Sequence, residues 1–400
     1  MVGTFLKVGL SAAALLAFVF EVFLKDPIWL GLGIGKTPQP ISDFPYTCRS
    51  IVDSRMEACE DMWLSESTRQ LFLACSDPLA RPYWMPNVAH FNLSARSQKD
   101  AIVVLDIDKP LDDEFQLRSL QTPGFTGTAG DGRLDLVGFA GIENPEDRSI
   151  RLFIINHRPS VDAETGEFLN HAVFGANSTV ELFETGSDAS ELKHRHTYAS
   201  QHIATPNRVA ALGPDSFYVT NDHGPNKLGL KHHLSPFLGT GDVTFCDKEH
   251  GCKSVAGGLK FPNGLVHGHD GLVYVPNSMI GTISVFRRLE NNDIEKVEEI
   301  PVGYSIDNLS VDQNGDVYVA AFPRGIDIFK AYEDPYNARP AAAALRLRKL
   351  DIGYVLDKVI EDGLGEKLPA TTTVIHDAKT GRLFMSSVIS PFIAVCEPRK

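Results

Sequence analysis

Apolar residues along this chain fall into short runs broken by turn residues, with few long helical stripes. The clearest run is Val209 to Asn221, where an apolar stretch, a Gly213-Pro214-Asp215 turn and a second stretch through Phe217, Tyr218 and Val219 follow one another. The same strand-turn-strand design recurs from Gly264 to Asn277 and from Leu309 to Ala321. There Asp270-Gly271 and Asn314-Gly315 are tight-turn pairs between alternating apolar positions. Weaker copies run from Met62 to Asp77, from Phe139 to His157 (turn at Pro145-Glu146-Asp147) and from Val374 to Ser387. Tyr218, Tyr274 and Tyr318 mark equivalent positions 56 and then 44 residues apart, spacings that suit a four-stranded propeller blade. Six such blades over residues 46–400 average about 59 residues each, longer blades carrying loop insertions. The predicted fold is all-β, a six-bladed β-propeller. A β-sandwich lacks this repetition, and helical patterns do not alternate with the strands as a parallel α/β sheet requires. Helices are expected only around Pro340 to Leu350 and Leu228 to Leu238.

Ahead of the propeller the pattern changes. Lys7 precedes an apolar run from Val8 to Phe20 that resumes at Val22-Phe23-Leu24 and stops at Lys25-Asp26-Pro27. From Val8 to Leu24 this run would extend about 25 Å as a helix, marginal for a bilayer. A basic residue followed by an apolar centre fits a secretory signal, and the bulky Phe18 to Leu24 leaves no small-x-small cleavage site. Residues 1–30 are therefore expected to be an uncleaved signal anchor or transmembrane segment, and 31–45 a flexible stem. The propeller is placed on the lumenal or extracellular side, or secreted. Gly31 to Thr37 imitates a phosphate loop, but Leu30 stands where its first glycine must be.

Composition narrows the function classes. The chain has 400 residues, 43% of them hydrophobic, and its 33 Gly and 24 Pro suit a fold with many turns. A net charge of −13 argues against nucleic acid, which selects clustered Lys and Arg. Six cysteines are compatible with disulfides in an oxidising compartment. Cys246 and Cys252 flank a short polar turn and can close a small loop. Asn92-Leu93-Ser94 and Asn177-Ser178-Thr179 are candidate glycosylation sites. A third triplet begins at Asn308, which has another assignment.

That assignment comes from the phase of the repeat. Eleven residues before Tyr218, Tyr274 and Tyr318 stand Asn207, Asn263 and Asp307, and eleven before Leu71 stands Glu60. Equivalent positions in successive blades sit at one height around the central axis, so Glu60, Asn207, Asn263, Asp307 and the following Asn308 should converge. An all-oxygen set with two carboxylates suits Ca²⁺, whereas zinc favours His or Cys. A buried axial Asn308 is not available to a glycan.

The residues carrying this pattern also resemble a known family. Cys59-Glu60-Asp61-Met62, Leu212 to His223, Phe261-Pro262-Asn263-Gly264 and Ile306 to Asp312 are similar to the serum paraoxonase/arylesterase family. So are Asn177 to Phe183 and Cys396-Glu397. The resemblance runs from about residue 46 to the C-terminus. It implies a six-bladed propeller with two central calcium ions that hydrolyses lactones, aryl esters and some phosphotriesters. It also implies that Glu60, Asn207, Asn263, Asp307 and Asn308 hold the catalytic ion, that Cys48 and Cys396 form a ring-closing disulfide, and that the N-terminal segment stays as a membrane or lipoprotein anchor.

Two departures matter. The family's structural calcium uses the position of Asp61 and an Asp after Asn207, but Arg208 stands there; Arg208 is expected to pair with Asp61 and replace the ion. The family's general-base histidine belongs to a Phe-x-Pro-His-Gly motif, whereas the matching stretch, Leu136 to Ile142, has none. His157 and His223 are the remaining candidates, while His194, His196, His232 and His233 are expected to be solvated.

The expected function is calcium-assisted hydrolysis of carboxylic esters or lactones by water. A serine hydrolase is disfavoured because no Gly-x-Ser-x-Gly elbow occurs. The alternative from another class is a non-catalytic, calcium-stabilised propeller that binds a lipid or protein partner. A third reading, a sugar lactonase of the gluconolactonase type, shares the propeller and a metal centre. Specificity is assigned to loops such as Pro225 to Gly241.

Overall fold

The computed structural model describes residues 2–108, 116–127, 130–144 and 146–399; Pro145, expected in a turn, lies outside them. Six four-stranded antiparallel sheets form the blades of a propeller. Their inner strands are Asp61–Ser65, Leu136–Glu143, Pro206–Gly213, Val266–His267, Ser305–Val311 and Thr373–Asp377 for blades one to six. Each is followed in sequence by its second strand, and these six pairs coincide with the six repeats. Neighbouring inner strands contact one another around the whole ring.

The core lies between blades rather than inside any one of them. Phe153, Phe217 and Val219 from blades two and three share one buried cluster. Tyr274, Val319 and Leu345 from blades four and five share another. A strand buried on both faces can bury its side chains only against its neighbours, so the ring must close to be stable. Closure is made by the first strand, Tyr46–Ile51, which pairs antiparallel with the last, Ile393–Pro398. Cys48 and Cys396, directly opposite in that ladder, form a disulfide across 348 residues of sequence. Crosslinking so long a loop restricts the unfolded chain strongly. Replacing both cysteines by alanine should lower unfolding free energy by roughly 2–5 kcal/mol in a urea titration. Two further bridges join Cys59 to Cys75 and Cys246 to Cys252. The pairing of Cys59 with Cys75 was not predicted. Its signal was available only once the strand Gln70–Cys75 was known to return beside Glu60.

Among the described residues, five α-helices accompany the strands: α1 (Val2–Val19), α2 (Lys25–Leu32), α3 (His171–Phe174), α4 (Gly229–Leu238) and α5 (Asp327–Glu333). The helix expected near Leu228 to Leu238 is α4. The one expected from Pro340 to Leu350 is instead a strand, Ala342–Leu350, paired on both sides. Its Ala and Leu residues favour helix in isolation, but backbone ladders and burial between blades outweigh that preference.

The N-terminal segment requires a correction. Among the described residues, no helix is long and apolar enough to cross a membrane, contrary to the expected transmembrane segment. α1 runs into a π-helical turn, Phe20–Leu24, where Glu21 pairs with Lys25. α2 then docks on the propeller instead of continuing the apolar run. The amides of Gly325 and Ile326 donate to the carbonyls of Leu30 and Gly31 at 3.2 and 3.0 Å. Residues expected as a stem continue this docking, with Gln39 N donating to Glu361 Oε1 at 3.0 Å and Lys36 lying 3.6 Å over the ring of Tyr304.

Candidate active site and metal centre

The five residues singled out by the repeat phase stand where the chain enters the inner strands of blades one, three, four and five. Glu60 directly precedes Asp61–Ser65, Asn207 opens Pro206–Gly213, and Asp307 and Asn308 lie in Ser305–Val311. Asn263 sits in the Pro262-Asn263-Gly264 entry to blade four. Asn207 and Asp307-Asn308 each coincide with a break in the ladder between the first two strands of their blade. A bulge lifts these residues out of pairing and turns them towards the axis.

All five are deeply placed. Asn308 Nδ2 donates to Glu60 Oε1 at 3.2 Å and to Thr373 Oγ1 at 2.9 Å. Asn263 Oδ1 accepts from the Gly264 amide at 2.9 Å. Four oxygens remain buried without any hydrogen-bond partner: Glu60 Oε2, Asn207 Oδ1, Asp307 Oδ1 and Asn308 Oδ1. Orphaned acceptors of this kind are costly unless a donor or a cation completes them. Burial, reinforced by the neighbouring Asp61 charge, pushes the Glu60 carboxyl up to about 7. Burial and then the charge of Glu60 raise Asp307 well above the ordinary carboxylate range. Two buried carboxyls that resist ionising together are relieved by a positive ion. Among the described residues no group of three or more His, Cys, Asp and Glu side chains is placed to hold a metal. A cation here would rest on two carboxylates and three amides, the mixed oxygen set that suits Ca²⁺.

An apolar cavity of about 520 Å³ opens on Asn263 and Asp307. Pro27, Ile28 and Leu32 of α2, Phe237 of α4 and Ile328 and Phe329 of α5 are among its walls. A cavity of about 540 Å³ at the opposite mouth of the central channel touches none of the five residues and has Arg208 in its lining.

The two candidate histidines occupy different settings. His157 is sealed in, its Nδ1 2.8 Å from Ser178 Oγ and its Nε2 without a partner. Burial holds its pKa down to about 4, so the ring is neutral near pH 7. Since the unfolded chain takes up this proton near 6.5, stability should fall as pH drops from 6.5 to 4 and then level off. The loss attributable to this ring is about 3 kcal/mol. His157→Gln should flatten that part of a denaturation-against-pH series.

His223 lies two residues past the second strand of blade three, Ser216–Asn221, and its Nδ1 lies 2.7 Å from Asp222 Oδ1. Although burial opposes ionisation, His223 beside it holds the Asp222 carboxyl below its usual value. The other oxygen of Asp222 accepts from Asn87 and, at 3.4 Å, from Asn207 Nδ2. Asp222 thus ties His223 to Asn207. His232, expected to be solvated, is buried in α4 and stacks on His223 at 3.6 Å between ring centres. His194 is exposed, as expected, with Nε2 3.0 Å from Glu181.

Sequence reasoning missed Tyr332 of α5. Its hydroxyl meets Met85 Sδ at 3.3 Å, and burial, followed by the charge of Glu60, pushes its pKa upward. No repeat or motif marks it, because α5 lies in an insertion outside the inner strands.

The Arylesterase family model matches residues 156–354. The chain is similar to the serum paraoxonase/arylesterase family. Serum paraoxonase/arylesterase 2 of Gallus gallus is 30% identical over 51% of this chain and 53% of its own length. Serum paraoxonase/arylesterase 1 of Homo sapiens is 28% identical over the same shares. The chain therefore spans about half the length of the curated relatives it matches. A luciferin-regenerating enzyme superposes with a TM-score of 0.50 at 10% identity, covering 88% of this chain and 95% of its own; that likeness concerns the fold alone. Against the paraoxonase/arylesterase pattern, Gly138 lies in the stretch matching the missing histidine motif. A Cβ there would fall 2.2 Å from Asn207 O and 2.9 Å from Arg208 Cα.

Proposed function

We propose that this paraoxonase relative is a calcium-dependent hydrolase of carboxylic esters and lactones. The observation that carries the reading is the set of four orphaned buried oxygens, drawn from three blades around two carboxyls that resist ionisation, beside an apolar cavity large enough for an acyl group or aromatic ring. Glu60, Asn207, Asn263, Asp307 and Asn308 would hold the ion. Bound there, calcium supplies a Lewis acid for the ester carbonyl and for the negative charge that develops on its oxygen.

The chain's own residues do the rest. The apolar walls from α2, α4 and α5 take the carbon skeleton and exclude bulk water. Asp222, kept ionised, accepts the Nδ1 proton of His223 and leaves Nε2 as the basic nitrogen. His223 takes a proton from water as the water oxygen bonds to the acyl carbon, and returns it to the departing alkoxide or phenoxide as the acyl C–O bond breaks. An ester yields a carboxylic acid and an alcohol; a lactone opens to a hydroxy acid. His157, held neutral at a pKa of about 4 and sealed from solvent, acts as a structural neighbour of this pair.

Three disulfides suit a secretory route, and the exposed Asn92 and Asn177 are the proposed glycan sites. Phenyl acetate and a six-membered lactone should both be hydrolysed in calcium, lose turnover in excess chelator and regain it when calcium is restored. Undiminished turnover in chelator would refute the calcium reading. Absence of turnover with calcium bound would favour a propeller that binds a lipid or protein partner.

A further inference from the structure

We infer that the guanidinium of Arg208 is a built-in cation at the centre of the propeller, filling a second oxygen cage in which this chain therefore binds no metal ion. Arg208 Nε donates to Asp61 Oδ2 at 2.8 Å and Nη2 lies 2.8 Å from Asp61 Oδ1, a two-pronged ion pair. Nη1 donates to the carbonyl of Leu309, and Nη2 reaches the carbonyl of Met62 at 3.5 Å. The Asp61 carboxylate also accepts from the amides of Met62 and Phe139 at 2.8 and 2.9 Å and from Thr373 Oγ1 at 3.4 Å. Both partners are buried, Asp61 completely.

All six blades meet at this pair. Blade one contributes Asp61 and Met62, blade two Phe139, blade three Arg208, blade five Leu309 and blade six Thr373. Blade four contributes an absence: a Cβ on Gly264 would lie 2.7 Å from Arg208 Cδ. A carboxylate with main-chain carbonyls converging on an axis is the surrounding a hard cation takes, and here the positive charge arrives on a side chain. Arginine stays protonated at any working pH and its fork matches the carboxylate. One positive and one negative charge balance, so a divalent ion added here would sit against the guanidinium in a medium of low dielectric and be repelled.

The inference stands apart from the proposed hydrolase, and metal content separates the two. Protein purified in calcium and then dialysed should carry at most one tightly bound calcium ion per chain by atomic emission. Two ions overturn the inference. None leaves it standing and removes the calcium hydrolase instead. As a second measurement, Arg208→Asn frees the Asp61 carboxylate. This variant should take up one ion more than the parent, and its melting temperature should rise with added calcium by more than the parent's does. A folded Arg208→Asn variant with the parent's metal content and the parent's calcium response would overturn the proposal. Should Arg208→Asn fail to fold without calcium, rescue by calcium supports the cage, and failure with calcium present counts against it.

Discussion

Asp307→Ala is expected to reduce ester and lactone turnover by about 1,000-fold or more, the scale on which loss of transition-state charge stabilisation acts. The metal-free protein should nevertheless melt no lower than the parent. The reason lies in the two buried carboxyls. Asp307 Oδ1 has no hydrogen-bond partner, and the charge of Glu60 raises its pKa further. Removing the side chain deletes an unsatisfied acceptor and a like-charge neighbour, which on its own favours the folded state. Removing it also deletes one of only two carboxylates available to a divalent ion, so calcium affinity and catalysis should fall together. A residue kept for packing would behave the opposite way, lowering the melting temperature first. Measuring kcat/KM in calcium and melting temperature in chelator on the same preparation separates these outcomes. A large drop in melting temperature with activity retained would refute the assignment.

Gly264→Ala is the second change with a large expected effect, although it alters no polar group. An added Cβ would lie 1.9 Å from Asn308 Oδ1 and 2.7 Å from Arg208 Cδ. Real Cβ contacts do not approach this closely, so Asn308, Arg208 or the strand entry must move. Moving Asn308 breaks its bonds to Glu60 and Thr373. Moving Arg208 leaves Asp61 buried without its cation, a loss on the order of 3–5 kcal/mol. Gly264→Ala should therefore lose activity as Asp307→Ala does, yet melt well below the parent. Full stability in this variant would show that the centre is looser than the structure indicates. The two variants together separate a residue that serves only the ion from one that serves both the ion and the ring.

Some of this was legible in the chain and some was not, for identifiable reasons. Strand-turn-strand repeats with Asp270-Gly271 and Asn314-Gly315 turns reveal the blades because turn chemistry and alternation are local. The constant offset from Tyr218, Tyr274 and Tyr318 back to Asn207, Asn263 and Asp307 is legible because a repeating fold converts equal phase into equal height. Ala342–Leu350 carries a helix-favouring composition yet is a strand, because its pairing comes from residues on either side in the folded sheet. The anchor expectation rested on an apolar run whose interruption at Glu21, Lys25 and Asp26 matters more in three dimensions, where α2 turns to cover the cavity.

The sequence by itself therefore determined the blade number and the five oxygen-bearing residues around the axis, while the closing pair Cys48 and Cys396 was implied by the family resemblance. Only the tertiary structure decided that Asp222 joins His223 to Asn207, that His232 stacks behind it, and that α2, α4 and α5 enclose one apolar cavity. The pairing of Arg208 with Asp61 was expected from the sequence, but only the structure decided that all six blades close on it. These are contacts between segments up to some three hundred residues apart in the chain, and no local pattern encodes them: they exist only because inter-blade burial forces the ring shut around its axis.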